Sequence, residues 1–206
     1  MQLRFQTGLT SEEYVSREAW REARLERCPL HPGGGCGLAR HGTYERMDPP
    51  GARVARWRCP PGHCTFSLLP DCLAARLPGA LAEVETVVAA VESAASLEAA
   101  ADALRPDIEL PGAIRWTRRR VQRISTTLHV LRGLDPERFA GWPATVSAWR
   151  AGLGLEPVLP ALRVIAADHL HELPAPLGFS NRLAHGGESH HVFQHPTGPD
   201  PPQHPR

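Results

Sequence analysis

The sequence predicts an α+β protein, a small β-hairpin unit followed by an all-α domain, on three observations. Four of the five cysteines crowd into residues 28–64 in two clusters, "CPLHPGGGC" and "CPPGHC". The chain between them carries two short strand-like segments, "LARHGTYERM" and "ARVARWRC", divided by the breaker "DPPG". Beyond residue 78, apolar residues recur at three- and four-residue spacing, the period of helices that bury one face. With 21 prolines and 18 glycines in 206 residues the chain should be broken often, and a single large core is not expected.

The N-terminal stretch "MQLRFQTGLTSEEYVSREAW" has neither an apolar signal region nor a small-residue cleavage site, and no run of 18 apolar residues occurs. A cytosolic protein without membrane insertion is expected, and residues 1–24 read as an extension ahead of the hairpin unit. In a reducing compartment, clustered cysteines are metal ligands or buried thiols before they are disulfides. A zinc ribbon over residues 25–72 suits the spacing, because each of two turns presents a pair of donors and the chain between forms strands. Such a unit has too little core to fold without its ion. Cys28 and Cys59 each precede proline, as the first donor of a ligand turn often does, and Cys36 is the third candidate. For the fourth, His63 and Cys64 compete, with His31 a further candidate in the first turn. No glutamate lies within either turn, which disfavours a catalytic zinc with a nearby general base.

The string Cys36-Gly37 to His41-Gly42, followed by "RWRCPPGHCTFSLLPD", resembles the zinc ribbon at the N-terminus of many bacterial insertion-sequence transposases and related mobile-element proteins. His41-Gly42, Trp57-Arg58-Cys59 and Thr65-Phe66-Ser67 supply the matching positions. The first donor pair here is spread to seven intervening residues, and the second turn carries one extra residue, which brings His63 nearest the family's fourth ligand and favours it over Cys64. The resemblance implies contact with double-stranded DNA by a metal-stabilised arm. The strand-cleaving domain of such transposases holds divalent metal with three carboxylates, and its pattern of framed acids does not occur after residue 71. The expectation is therefore an accessory or regulator of transposition rather than an enzyme, with a transposase or another protein as a second partner.

The helical domain is expected over residues 78–175. "LPGALAEVETVVAAVESAA" places Leu81, Val84, Val88 and Val91 on one stripe, and Ser96 can cap a shorter helix that Pro106 ends. The next helix starts at a Pro-Gly pair and runs to Gly133, with Ile114, Val121, Ile124, Leu128 and Leu131 on one face. Arg115, Arg119 and Arg123 stand one turn apart on a different face. Helices over 96–133 with arginines near the start of the second have the layout of a helix-turn-helix reader, although the connection "RPDIELPG" exceeds the usual short turn.

The net charge of +1 says little about partners, but its distribution says more. Residues 77–109 hold seven acids and one arginine, whereas 110–133 hold six arginines and no acid. The nucleic-acid contacts expected are Arg40, Arg46, Arg56 and Arg58 on the hairpin and Arg115, Arg118, Arg119 and Arg123 on the helix, guanidinium forks suiting both phosphate and guanine edges. The competing reading of the basic block is a solvated face paired with the acidic helices upstream. The competing function is a zinc-scaffolded protein-interaction adaptor. Two more amphipathic helices, with Trp142, Trp149, Leu159, Leu162 and Ile165 as core, should complete the domain. Residues 178–206 mix Gly, Pro and His without periodicity and should be a disordered tail.

Overall fold

The computed structural model describes residues 1–180 and places strands on both sides of the "DPPG" breaker: β2 (Ala39–Glu45) and β3 (Arg53–Cys59), antiparallel. The turn at residues 60–63 returns the chain as β4 (Cys64–Pro70), antiparallel to β3. Residues expected to be an extension supply β1 (Gln2–Phe5), which pairs parallel to β4 with Leu3 opposite Leu68, so the sheet order is β1-β4-β3-β2. The register of β2 against β3 slips between Arg40 and Thr43, where Gly42 has φ 77, a value that favours glycine at a bulge.

After β1 a capping box starts α1 (Ser11–Ser16): Thr10 Oγ1 accepts from the Glu13 amide, and Glu13 accepts from the Thr10 amide. This helix buries Tyr14, whose hydroxyl donates to the Arg53 carbonyl at 2.7 Å and whose ring meets Trp20 edge-on. The periodic segments beyond residue 78 form α2 (Leu81–Ser93), α3 (Leu97–Leu104) and α4 (Leu110–Leu134). Ser96 Oγ accepts from the Ala99 amide, the expected cap of α3. The 25 residues of α4 make a rod about 37 Å long. The short α5 (Pro136–Phe139), α6 (Val146–Leu153) and α7 (Val158–Ile165) close the helical layer.

One core joins these parts, contrary to the expectation from proline and glycine content. Val54 and Leu69 of the sheet belong to the same buried cluster as Leu81 and Val84 of α2, Ile124 and Leu128 of α4, and Leu159 of α7. Pro78, Pro111, Pro136 and Pro157 stand before helices or in their first turns, where a missing N–H costs nothing, so they delimit elements without interrupting the core. The tail expected from residue 178 does not include Gly178 and Phe179, which are buried; a Cβ on Gly178 would lie 2.1 Å from the Leu173 carbonyl oxygen. The remainder of that expected tail lies outside the described residues.

Buried charges staple the layers together. Glu85, fully buried on the apolar stripe of α2, accepts from the Val158 and Leu159 amides at 2.9 and 2.7 Å and from Arg150 Nε at 2.6 Å. Two turns along, Glu92 accepts from the Val146 and Ser147 amides at 2.7 and 2.8 Å. One helix thus caps the N-termini of α7 and α6 with carboxylates, which satisfies orphan amides and opposes the helix dipoles.

Arg163 does the complementary work for carbonyls. Its guanidinium is fully buried and donates to five of them: Pro70, Asp71 and Leu73 at the end of β4, and Pro176 and Leu177 from the C-terminal stretch. Burial pushes it down to about 9 while Asp71 opposes that shift, so it remains charged at neutral pH. Arg4, bonded through Nε and Nη2 to the two oxygens of Asp71, ties β1 to the same corner. Replacing Arg163 by Met should leave the carbonyls without donors and cost about 3 to 5 kcal/mol in urea unfolding. A loss within about 0.5 kcal/mol, the scale of an ordinary surface change, would show that the carbonyls find other donors.

Candidate metal centre

Proline at position 29 fixes φ after Cys28, and the following residues turn back so that the His31 amide donates to the Cys28 carbonyl at 3.1 Å. This tight return sets the imidazole beside the thiol three residues earlier. His31 Nδ1 lies 3.5 Å from Cys28 Sγ and 3.3 Å from Cys59 Sγ. The run Gly33-Gly34-Gly35 then brings Cys36 to the same place, with Gly34 and Gly35 at φ 84 and 77. Cys59 arrives from the end of β3. The donor atoms of Cys28, His31, Cys36 and Cys59 all lie within 4.8 Å of one another.

Three sulfurs and one imidazole nitrogen at these separations fit a tetrahedral ion. Bonds of about 2.3 Å to sulfur and about 2.0 Å to nitrogen span S···N edges of about 3.5 Å. The three thiols are buried and His31 is half-buried, so water is largely kept from the sulfurs. Burial raises the Cys28 thiol, but bonds from the His31 ring, the Leu30 and His31 amides and Cys59 outweigh it and hold it below its usual value. Burial together with the neighbouring Cys28 and Cys36 sulfurs pushes Cys59 up, against the Gly62 amide. A second thiolate beside the first is thus opposed by desolvation and repulsion, which a cation among the donors would relieve. The Gly62 turn lies close against the centre: a Cβ there would come within 3.2 Å of Cys59 Sγ and 2.7 Å of Leu30 Cδ1.

The fourth donor of the group is therefore His31, not His63. His63 is exposed on the turn after Pro60-Pro61-Gly62, with φ 45. Cys64, the other alternate, pairs with Cys59 across β3 and β4, yet its sulfur is not in the group and approaches the Thr65 carbonyl at 3.9 Å. Phe66 is buried with Cys28, Cys36 and Cys59, and Leu3, Leu25, Leu38 and Trp57 pack around them in a small satellite core.

The arginines expected to meet nucleic acid divide into two sets. Arg40 donates to the Trp20 and Arg21 carbonyls, each at 2.8 Å, and Arg46 to those of Ala74 and Leu77, so both hold the chain together. Arg58 is exposed and Arg56 half-buried on β3. On α4, Arg115, Arg118 and Arg119 are exposed and Arg123 is half-buried. None of these four makes an ion pair among the described residues. Of the seven acids upstream, Glu85 and Glu92 cap α7 and α6, Glu83 caps its own helix and Asp107 pairs with Arg105, while Glu98, Asp102 and Glu109 form no ion pair with these arginines among the described residues. The helices α3 and α4 occur as expected, joined by the five residues 105–109 rather than the usual three- or four-residue turn, and α4 is packed on α2 as well as α3. No helix of the described residues is long and apolar enough to cross a membrane.

Cobalt titration of the full chain should give one equivalent bound, with thiolate charge-transfer absorption. Cys36→Ser or His31→Ala should weaken it sharply, whereas His63→Ala should bind as wild type. Loss of cobalt on His63→Ala with retention on His31→Ala would reverse the assignment.

Compared with family models, curated proteins and solved structures, the chain matches none.

Proposed function

We propose that the protein is a zinc-stabilised DNA-binding protein of the transposase-associated type, accessory to transposition and without strand-cleaving chemistry of its own. The observation that carries the DNA reading is the uncompensated arginine face of α4. Arg115, Arg118, Arg119 and Arg123 lie within nine residues with no carboxylate paired to them among the described residues. Like charges at this spacing repel, and a solvated face would normally interleave acids to relieve the repulsion. A polyanion relieves it instead and gains the entropy of released counterions.

The metal's part in this reading is architectural. Four protein donors leave a tetrahedral ion no open position, so zinc would fix the loop over residues 28–36 against the end of β3. That fixes the strand carrying Arg56 and Arg58, which would meet phosphates while the α4 arginines approach a groove. The link to mobile elements rests on the motif at Cys36 to Gly42 and Trp57 to Ser67.

Affinity for duplex DNA should fall steeply with salt. Arg119→Ala should cost about 1 to 3 kcal/mol in a mobility-shift titration. Arg40→Ala should leave DNA affinity unchanged and lower stability instead, since its donors face the Trp20 and Arg21 carbonyls. Binding indifferent to salt and to Arg119 would remove α4 from the interface and favour the protein-interaction adaptor.

A further inference from the structure

Within the basic block of α4, Arg120 stands apart from its neighbours. It lies on the buried face with Ala113, Thr117 and Ile124, and only 6% of it is exposed. Its Cζ sits 3.7 Å from the centroid of the Trp116 ring, and the Cζ of Arg105 sits 5.0 Å from the same centroid. Stacking on indole occupies the flat face of a guanidinium and leaves its N–H groups pointing outward in the plane.

Those N–H groups are almost unused. Nη1 makes one long bond, 3.4 Å, to the Trp116 carbonyl. Nε and Nη2 have no acceptor among the described residues, yet they are not among the sealed unpartnered atoms, which are Gln2 Oε1, Trp57 Nε1 and Thr117 Oγ1. The free edge of the fork therefore keeps contact with solvent. No ion pair forms with it among the described residues, whereas the fully buried Arg163 has five carbonyl acceptors. Arg105 and Arg119 add positive potential at Arg120, and Asp48 and Glu83 offset part of it. A desolvated cation without a counter-ion, held rigid by a ring behind it, is the arrangement expected of a preorganised anion receptor.

We propose that Arg120, backed by Trp116 and flanked by Arg105 and Arg119, is the floor of a site for a phosphoryl oxyanion, supplied by a nucleic-acid backbone or by a free phosphate compound. The nucleic-acid source rests on the DNA reading above; the oxyanion site itself does not. A phosphoryl group offers several non-bridging oxygens, singly charged in a phosphodiester and up to doubly charged in a monoester, and so can accept from the Arg120 fork and a neighbouring guanidinium together.

The test uses the full metal-loaded chain and follows arginine Nε–H resonances by NMR, first with inorganic phosphate and then with duplex DNA. Phosphate should move the Arg120 signal to saturation and leave that of Arg163 in place. Arg120→Lys, which keeps the charge but not the fork, should weaken phosphate binding roughly tenfold at an unchanged fold. Displacement of phosphate by duplex DNA supports the site with a nucleic-acid source. Saturation by phosphate with no effect of DNA supports the site for a free phosphate compound and counts against the DNA reading alone. If neither phosphate nor DNA moves the Arg120 resonance, the site is refuted, even where DNA shifts Arg115 and Arg119.

Discussion

Three thiols and an imidazole confined within 4.8 Å set the terms for the N-terminal half of this protein. The segment that carries three of the four donors is otherwise proline and glycine apart from Leu30, with no strand or helix of its own between Cys28 and Cys36. Only Phe66 is fully buried beside the three cysteines in the satellite core around them. Apolar burial on that scale cannot offset the backbone entropy of ordering such a loop. A cation that bound the folded arrangement and not the unfolded one would supply the difference, and it would also answer the repulsion between adjacent thiolates. With an ion so held, the position of the end of β3, and with it of Arg58 and the Gly62 turn, would follow from that knot.

The helical half solves a different problem by related means. It has ample apolar surface, but short helices leave orphan amides and carbonyls inside the protein. Glu85 and Glu92 answer the amides of α7 and α6, and Arg163 answers the carbonyls at the corner where the sheet meets the C-terminal stretch. These internal roles shape the surface. Acids committed to helix ends are not available to balance α4, so a sequence with a net charge of +1 presents one strongly basic helix face. Structure and electrostatics are coupled here through which carboxylates the fold needs inside.

Much of this was legible in the residues. The three- and four-residue spacing of Leu81, Val84 and Val88 and the cap at Ser96 locate α2 and α3, and Cys28, Cys36 and Cys59 announce the centre by spacing and neighbouring prolines. His31 was harder to separate from His63, because the choice depends on where a turn points its side chain; a Cys-x-x-His return is local, whereas His63 follows a Pro-Pro-Gly corner in a left-handed conformation. β1 was hidden because it pairs in parallel with a strand more than 60 residues away, which no local period records. Arg163 and Glu85 look like solvated charges in composition, but each falls in phase with an apolar stripe, Leu159 and Leu162 for one and Leu81 and Val88 for the other. That phase is the signal that such a charge belongs inside. Arg40 and Arg46 carry no comparable mark, since a strand arginine that turns back onto carbonyls reads the same as one that faces solvent.

X-ray absorption at the zinc edge of the purified full chain addresses the central claim most directly, because it reads the donors themselves. A shell of three sulfurs at about 2.3 Å and one nitrogen at about 2.0 Å is the result expected of Cys28, Cys36, Cys59 and His31. A shell with fewer sulfurs, or with a bound water oxygen in place of the nitrogen, would contradict it and reopen both the knot and the arrangement built upon it.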